Sequence, residues 1–153
     1  MRSRATLRVE RGRNRVATLL AWLLRLPRAS DSVEARLIVT PRGDAEQWCR
    51  SFDGRRFDTR QYATPHGELA ERVGAIEFRF RLDVEEGSLV FRHAGAAFAI
   101  GALRLAPPAA WTPAVEARED AAGPRRLHIQ VKLTVPAVGP VLTYAGTVDY
   151  EDS

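Results

Sequence analysis

Val16-Ala17-Thr18-Leu19-Leu20-Ala21-Trp22-Leu23-Leu24-Arg25-Leu26 is a nearly unbroken apolar run, with arginines before it and Pro27 after it. Val16, Leu19, Leu20, Leu23 and Leu24 recur at the spacing that aligns side chains on one face of an α-helix. Trp22 and Leu26 widen that face until little polar surface is left, so the helix is expected to be covered. Seven large apolar side chains, at roughly 1.5–3 kcal/mol each when buried, amount to about 10–20 kcal/mol gross. That rivals the net stability of a whole domain, about 5–15 kcal/mol. The remainder of the chain is therefore expected to wrap around this helix.

Outside the run, the dominant period is two. Ala5, Leu7 and Val9 alternate with polar residues before Gly12, and Asn14 is placed to cap the helix. Beyond Pro27, Val33, Ala35, Leu37 and Val39 alternate again. Asp53-Gly54 is a strong hairpin signal. It joins residues 45–52, where Trp48, Arg50 and Phe52 share a face, to residues 55–62. Residues 68–73 read as a short strand. Ile76, Phe78, Phe80, Leu82 and Val84 then alternate without error against charged residues. A strand over residues 89–93 runs into a Gly/Ala-rich stretch ending at Leu105, where small side chains predict close approach by another element, naturally the helix. Residues 111–118 predict a further strand. Leu127, Ile129, Val131, Leu133 and Val135 alternate in the next. Leu142, Tyr144, Val148 and Tyr150 line one face of the last, with Gly146 among them.

Short loops and the absence of a βαβ rhythm make the sheet antiparallel. The expected class is α+β, mainly β. One N-terminal apolar helix packs into a curved sheet of about eight to ten strands, closed as a barrel or open as a half-barrel. With 153 residues, 45% of them hydrophobic, the chain fits a single domain over residues 1–153.

Composition narrows the function classes. The net charge of +4 is uneven: residues 1–28 carry eight arginines against Glu10, and the remainder is net acidic. The basic character is thus an N-terminal feature, and no platform of strand aromatics stands on a basic face, so nucleic acid is not an expected partner. The apolar run is too short to span a bilayer, which takes about 20 residues. Arg25 interrupts it and no small-x-small site follows, so a secretory signal is disfavoured and a cytoplasmic location expected. Peripheral membrane contact through the Arg-rich N-terminus is the sharper alternative, but a core helix is preferred because the charges precede the helix instead of lining it. Cys49 is the lone cysteine and is expected to be inert. His66, His93 and His128 are too dispersed to predict a metal site. No nucleophile elbow, phosphate loop or paired-carboxylate site stands out, and no cofactor is expected.

Four blocks carry a family resemblance. They are residues 8–12 before a Leu-rich helix ending Leu24-Arg25-Leu26-Pro27, Trp48-Cys49-Arg50-Ser51-Phe52, Glu71-Arg72-Val73-Gly74 running into Phe78-Arg79-Phe80-Arg81-Leu82, and Val135-Pro136 through Tyr144-Ala145-Gly146. In order and spacing they resemble the bacterial family labelled domain of unknown function 4166, over nearly the whole chain. Members occur alone or at the end of saccharopine-dehydrogenase-like oxidoreductases. The resemblance implies an accessory role and transfers no catalytic residue. The leading expectation is a non-enzymatic module that binds an apolar or amphipathic small molecule or lipid in a cavity between sheet and helix. Trp48, Phe78, Phe80 and Tyr144 are the candidate lining residues, weighed against each simply filling a core. The alternative is an interaction domain docking on an NAD(P)-dependent oxidoreductase.

Overall fold

The alternation produces a sheet with almost no free edge. The computed structural model describes residues 1–24 and 26–151, and the side chain of Leu23 lies outside what it describes. Its strands are β1 (Arg2–Arg11), β2 (Ser30–Arg42), β3 (Ala45–Phe52), β4 (Arg55–Ala63), β5 (Leu69–Val73), β6 (Ile76–Glu85), β7 (Ser88–Ile100), β8 (Leu103–Leu105), β9 (Ala114–Gly123), β10 (Arg126–Val135) and β11 (Gly139–Glu151). Helix α1 spans Arg15–Leu23 and a 3-10 turn spans Ala109–Trp111. All pairings are antiparallel, in the order β6-β5-β4-β3-β2-β1-β11-β10-β9-β7, and β7 returns to β6. Ten strands therefore close into a barrel, and the open half-barrel is excluded. Closure depends on β7, which pairs with β6 along its length, with β9 at its start and with β8 at its end. A closed ring leaves no row of unpaired backbone groups, the usual liability of an open sheet.

The helix does not fill the barrel, which corrects the expectation built on its leucines. It follows β1 and lies across one end. Asn14 caps it as the sequence predicts, its side chain accepting from the Ala17 amide at 2.7 Å. The face turned to β1 and β11 is small: Ala17 and Ala21 are completely buried. Leu20 and Leu24 are half-buried and Leu26 is buried, but Leu19 is 59% and Trp22 72% exposed, and Val16 also faces outward. Arg25, read as a break in the apolar run, lies outside the described residues. The physical reason is space. The bore is already occupied by Phe52, Phe78, Phe80, Phe91 and Tyr144, whose rings meet at 6.1–6.5 Å in two groups, Phe57–Phe52–Tyr144 and Phe78–Phe80–Phe91. Only an alanine face fits flush against the barrel end.

Two devices hold the cap. A side chain on Gly12 would fall on the carbonyl oxygen of Pro140 and on the Ala17 methyl, so only glycine lets the link pass over the β10–β11 turn. Below the helix, Arg11 donates to the carbonyls of Leu26 and of Pro27, the latter at 2.6 Å, and seats that segment over the mouth. The Gly/Ala-rich run receives no helix. It becomes β7, with a bulge opposite Arg79 and Phe80. Residues 68–73 do form a strand, whereas Trp111 falls in the 3-10 turn and β9 starts only at Ala114.

Candidate ligand cavity

Strand register determines which side chains face the bore, because directly paired residues share a face. Val39 pairs with Trp48, Leu37 with Arg50, Gln61 with Glu71, Glu71 with Phe78, Ile129 with Glu119 and Val131 with Tyr144. Trp48, Arg50 and Phe52 therefore point inward together, as their alternation predicted. The interior is not solid. A chamber of about 90 Å³ lies under the helix end, closed by Leu24, Leu26 and Pro27 and lined by Phe52, Phe57, Phe78 and Leu142. A second of about 170 Å³ lies toward the other end, lined by Trp48, Gln61, Phe91, Glu119, Ile129 and Tyr150. Arg50, Glu71, Phe80, Val115, Val131 and Tyr144 border both and form the partition. All four residues singled out from the sequence line these chambers: Phe78 the first, Trp48 the second, Phe80 and Tyr144 both.

The partition is built around an ion pair that the sequence did not single out. Arg50 Nη1 donates to Glu71 Oε1 at 2.9 Å and to Thr59 Oγ1 at 2.6 Å, and Thr59 Oγ1 donates to the same Glu71 oxygen at 2.7 Å. The two charged side chains are only 17% and 18% exposed. The guanidinium also stacks over the Trp48 ring, 4.8 Å from its centroid. Arg50 is thereby neutralised, fixed and oriented. A signal for these residues did exist: Arg50 lies between Trp48 and Phe52, Glu71 between Leu69 and Val73, and Glu119 between Ala117 and Ala121. Each is a charge at the apolar phase of its strand.

Three polar side chains face the chambers without a hydrogen-bond partner among the described residues: the Gln61 amide, the Glu119 carboxyl and the Tyr144 hydroxyl. Gln61 is more than nine-tenths buried. Burial raises the Glu119 carboxyl above its usual range, and the nearby Arg50 charge opposes this. Tyr144 is enclosed on all sides, its residual accessible surface facing the cavity, and desolvation pushes its hydroxyl up to about 12. It stays a neutral phenol near pH 7, able to donate and accept. Because the neutral Glu119 is favoured on folding, its contribution is most favourable at acid pH and declines as pH rises through its elevated value. Glu119→Gln is accordingly expected to stabilise the protein at pH 7, with the gain vanishing on acidification below the ordinary carboxylate range. Denaturant midpoints measured across that pH range check this.

The other candidates do not converge. Among the described residues no group of His, Cys, Asp and Glu is placed to hold a metal. Cys49 lies 4.0 Å from an Arg56 nitrogen, outside the bore. His93 borders an outer groove with Glu116 and Lys132; burial lowers its pKa, and its Nδ1 is buried without a partner.

With this geometry in place, the comparison with protein families is direct: the family model described as Domain of unknown function (DUF4166) matches residues 4–148. The chain belongs to that family. The match reaches every strand of the DUF4166 barrel and all of the cavity lining named above except Tyr150. No curated protein matches this DUF4166 chain. Among its described residues no helix is long and apolar enough to cross a membrane.

Proposed function

We propose that the barrel is a non-enzymatic binding module for a small, mainly apolar molecule bearing one hydrogen-bond-donating head, a hydroxyl or an amine. One observation carries the reading: a partly hollow bore presents Gln61, Glu119 and Tyr144 unpartnered against otherwise aromatic and aliphatic walls. A buried polar group without a partner costs about 1–3 kcal/mol, which a matching ligand returns on binding. With Arg50 already held by Glu71, the acidic acceptor left to meet a ligand is the Glu119 carboxyl. That favours a donor or cation over an anion.

Size bounds the class. A cavity of about 150 Å³ takes up benzene, and drug-sized ligands occupy roughly 300–1,000 Å³. The larger chamber, about 170 Å³, suits a single ring or a short chain. A two-tailed lipid exceeds it even if the partition opens.

The test uses the intact protein. Native mass spectrometry reads any small mass that co-purifies. Titration with benzylamine and benzyl alcohol is then followed by the indole N–H signals of Trp22, Trp48 and Trp111. Binding in the bore moves Trp48 and leaves the exposed Trp22 and Trp111 in place. Glu119→Gln is expected to weaken benzylamine about tenfold, the scale of one charge-assisted hydrogen bond. Equal movement of all three signals, or none at millimolar ligand, would sink the reading.

A further inference from the structure

The helix end of the barrel is apolar and cationic at once. Val16, Leu19 and Trp22 project outward from α1 on the side away from the buried Ala17 and Ala21. The flap formed by β8 and the end of β7 exposes Phe98, Ile100, Leu103 and Leu105, and the adjoining 3-10 turn exposes Trp111. Both apolar groups belong to the same end. The turn after β10 ties them together: Ala137 N donates to Ala110 O at 2.8 Å, and Asn14 Nδ2 donates to Val138 O at 2.7 Å. On the opposite flank Leu24 and Phe98 line one surface groove of about 620 Å³. So large an exposed apolar area is uncommon on a protein surface without a partner.

The charges around it lean basic, although Glu10, Asp31 and Asp58 stand among the arginines. Arg8 and Arg56 are paired with carboxylates. Arg13, Arg15, Arg28 and Arg55 have no ion pair among the described residues. Arg11 gives its hydrogen bonds to backbone carbonyls, and after burial the charges of Arg55 and Arg28 are what hold its pKa down, so three guanidinium groups crowd one rim. Toward the far end, Arg4, Arg92 and Arg126 are each matched to acidic partners, while Arg2 and Arg42 have no ion pair among the described residues.

We propose that this end seats on an anionic lipid surface, with α1 in the interfacial plane. Val16, Leu19 and Trp22 enter the acyl boundary, and the arginines on the flanks meet lipid phosphates. An acidic protein would answer the charge. The apolar side chains, however, spread over helix, flap and turn around a rim of cations, which a fluid anionic surface satisfies without shape matching. The inference is independent of the ligand reading, since Val16, Leu19, Trp22 and the flanking arginines line neither chamber.

Co-sedimentation with phosphatidylcholine vesicles, with and without phosphatidylglycerol, tests it on the full chain. Binding is expected only to the anionic vesicles, weakening with added salt. Arg13→Gln with Arg15→Gln is expected to weaken it about 30-fold, from the contribution of each arginine near a charged bilayer. Leu19→Glu with Trp22→Glu is expected to cost about tenfold or more through the lost apolar contact. These positions are exposed, so unchanged circular dichroism checks that the variants fold. Equal binding to neutral vesicles, no vesicle binding, or binding that survives both double variants overturns the proposal. So does self-association or capture of an acidic protein that depends on Trp22 while vesicles are ignored.

Discussion

Glu71→Ala is expected to cost about 3–5 kcal/mol of folding stability at pH 7, the range measured when one partner of a buried ion pair is removed. For a domain of this size that lowers the midpoint of thermal unfolding by about 6–20 °C. The loss follows from what is left behind. The Arg50 guanidinium remains pinned between Leu37, Phe57 and the Trp48 ring, with the Thr59 hydroxyl as its remaining polar contact. Glu119 can answer part of that charge, so its elevated carboxyl should fall toward the ordinary range in the variant. Removing both charges tells the pair apart from its surroundings. Arg50→Met with Glu71→Leu should cost far less than the two single substitutions added together, because neither member of the pair is left without its partner. Equal and additive losses would mean that the partition is held by packing and that the ion pair contributes nothing of its own. The double variant also joins the two chambers under apolar walls. It should therefore bind neutral one-ring ligands at least as well as the native protein, while Glu119 still favours a donor head.

What the sequence made legible follows from the range of each interaction. Alternation is local, and it located most strands, including the inward phase of Trp48, Arg50 and Phe52. Closure is not local: β1 must meet β11 across the length of the chain and β7 must reach β9, and no local period encodes either pairing. Arg50 and Glu71 lie on strands that are not neighbours, with β4 between them, so their meeting needed the register of β3, β4 and β5 together. The helix departs from its sequence expectation for a different reason. Its apolar period is genuine, but amphipathicity says only that a face seeks cover, not that cover exists. Ala17 and Ala21, one turn apart, were the residues that named the buried face, and the large side chains drew attention away from them.

Gly146→Ala is expected to destabilise the fold by about 3 kcal/mol or more, at the upper end of what overpacking a core costs. Gly146 lies opposite Leu7 in the β1–β11 pairing, the seam that joins the two ends of the chain. A methyl group built there would fall on the carbonyl oxygen of Thr6 and stand 3.0 Å from both the Cα and a Cδ of Leu7. Two of those three atoms are backbone, so no side-chain rotation relieves the contact. β1 must move away from β11, and Leu7 and Val9, each 2% exposed, move with it. Gly43→Ala supplies the contrast. That turn glycine has a φ of 66° but nothing within 4 Å of a built side chain. Its substitution costs only the left-handed backbone, about 1–2 kcal/mol. Chemical denaturation of both variants separates space from conformation, and hydrogen exchange locates the damage. In Gly146→Ala the amides of β1 and β11 should lose protection first, while those of β3–β5, on the far side of the ring, hold longer. If Gly146→Ala were as mild as Gly43→Ala, the seam would have room to spare and the tight β1–β11 approach described here would be wrong.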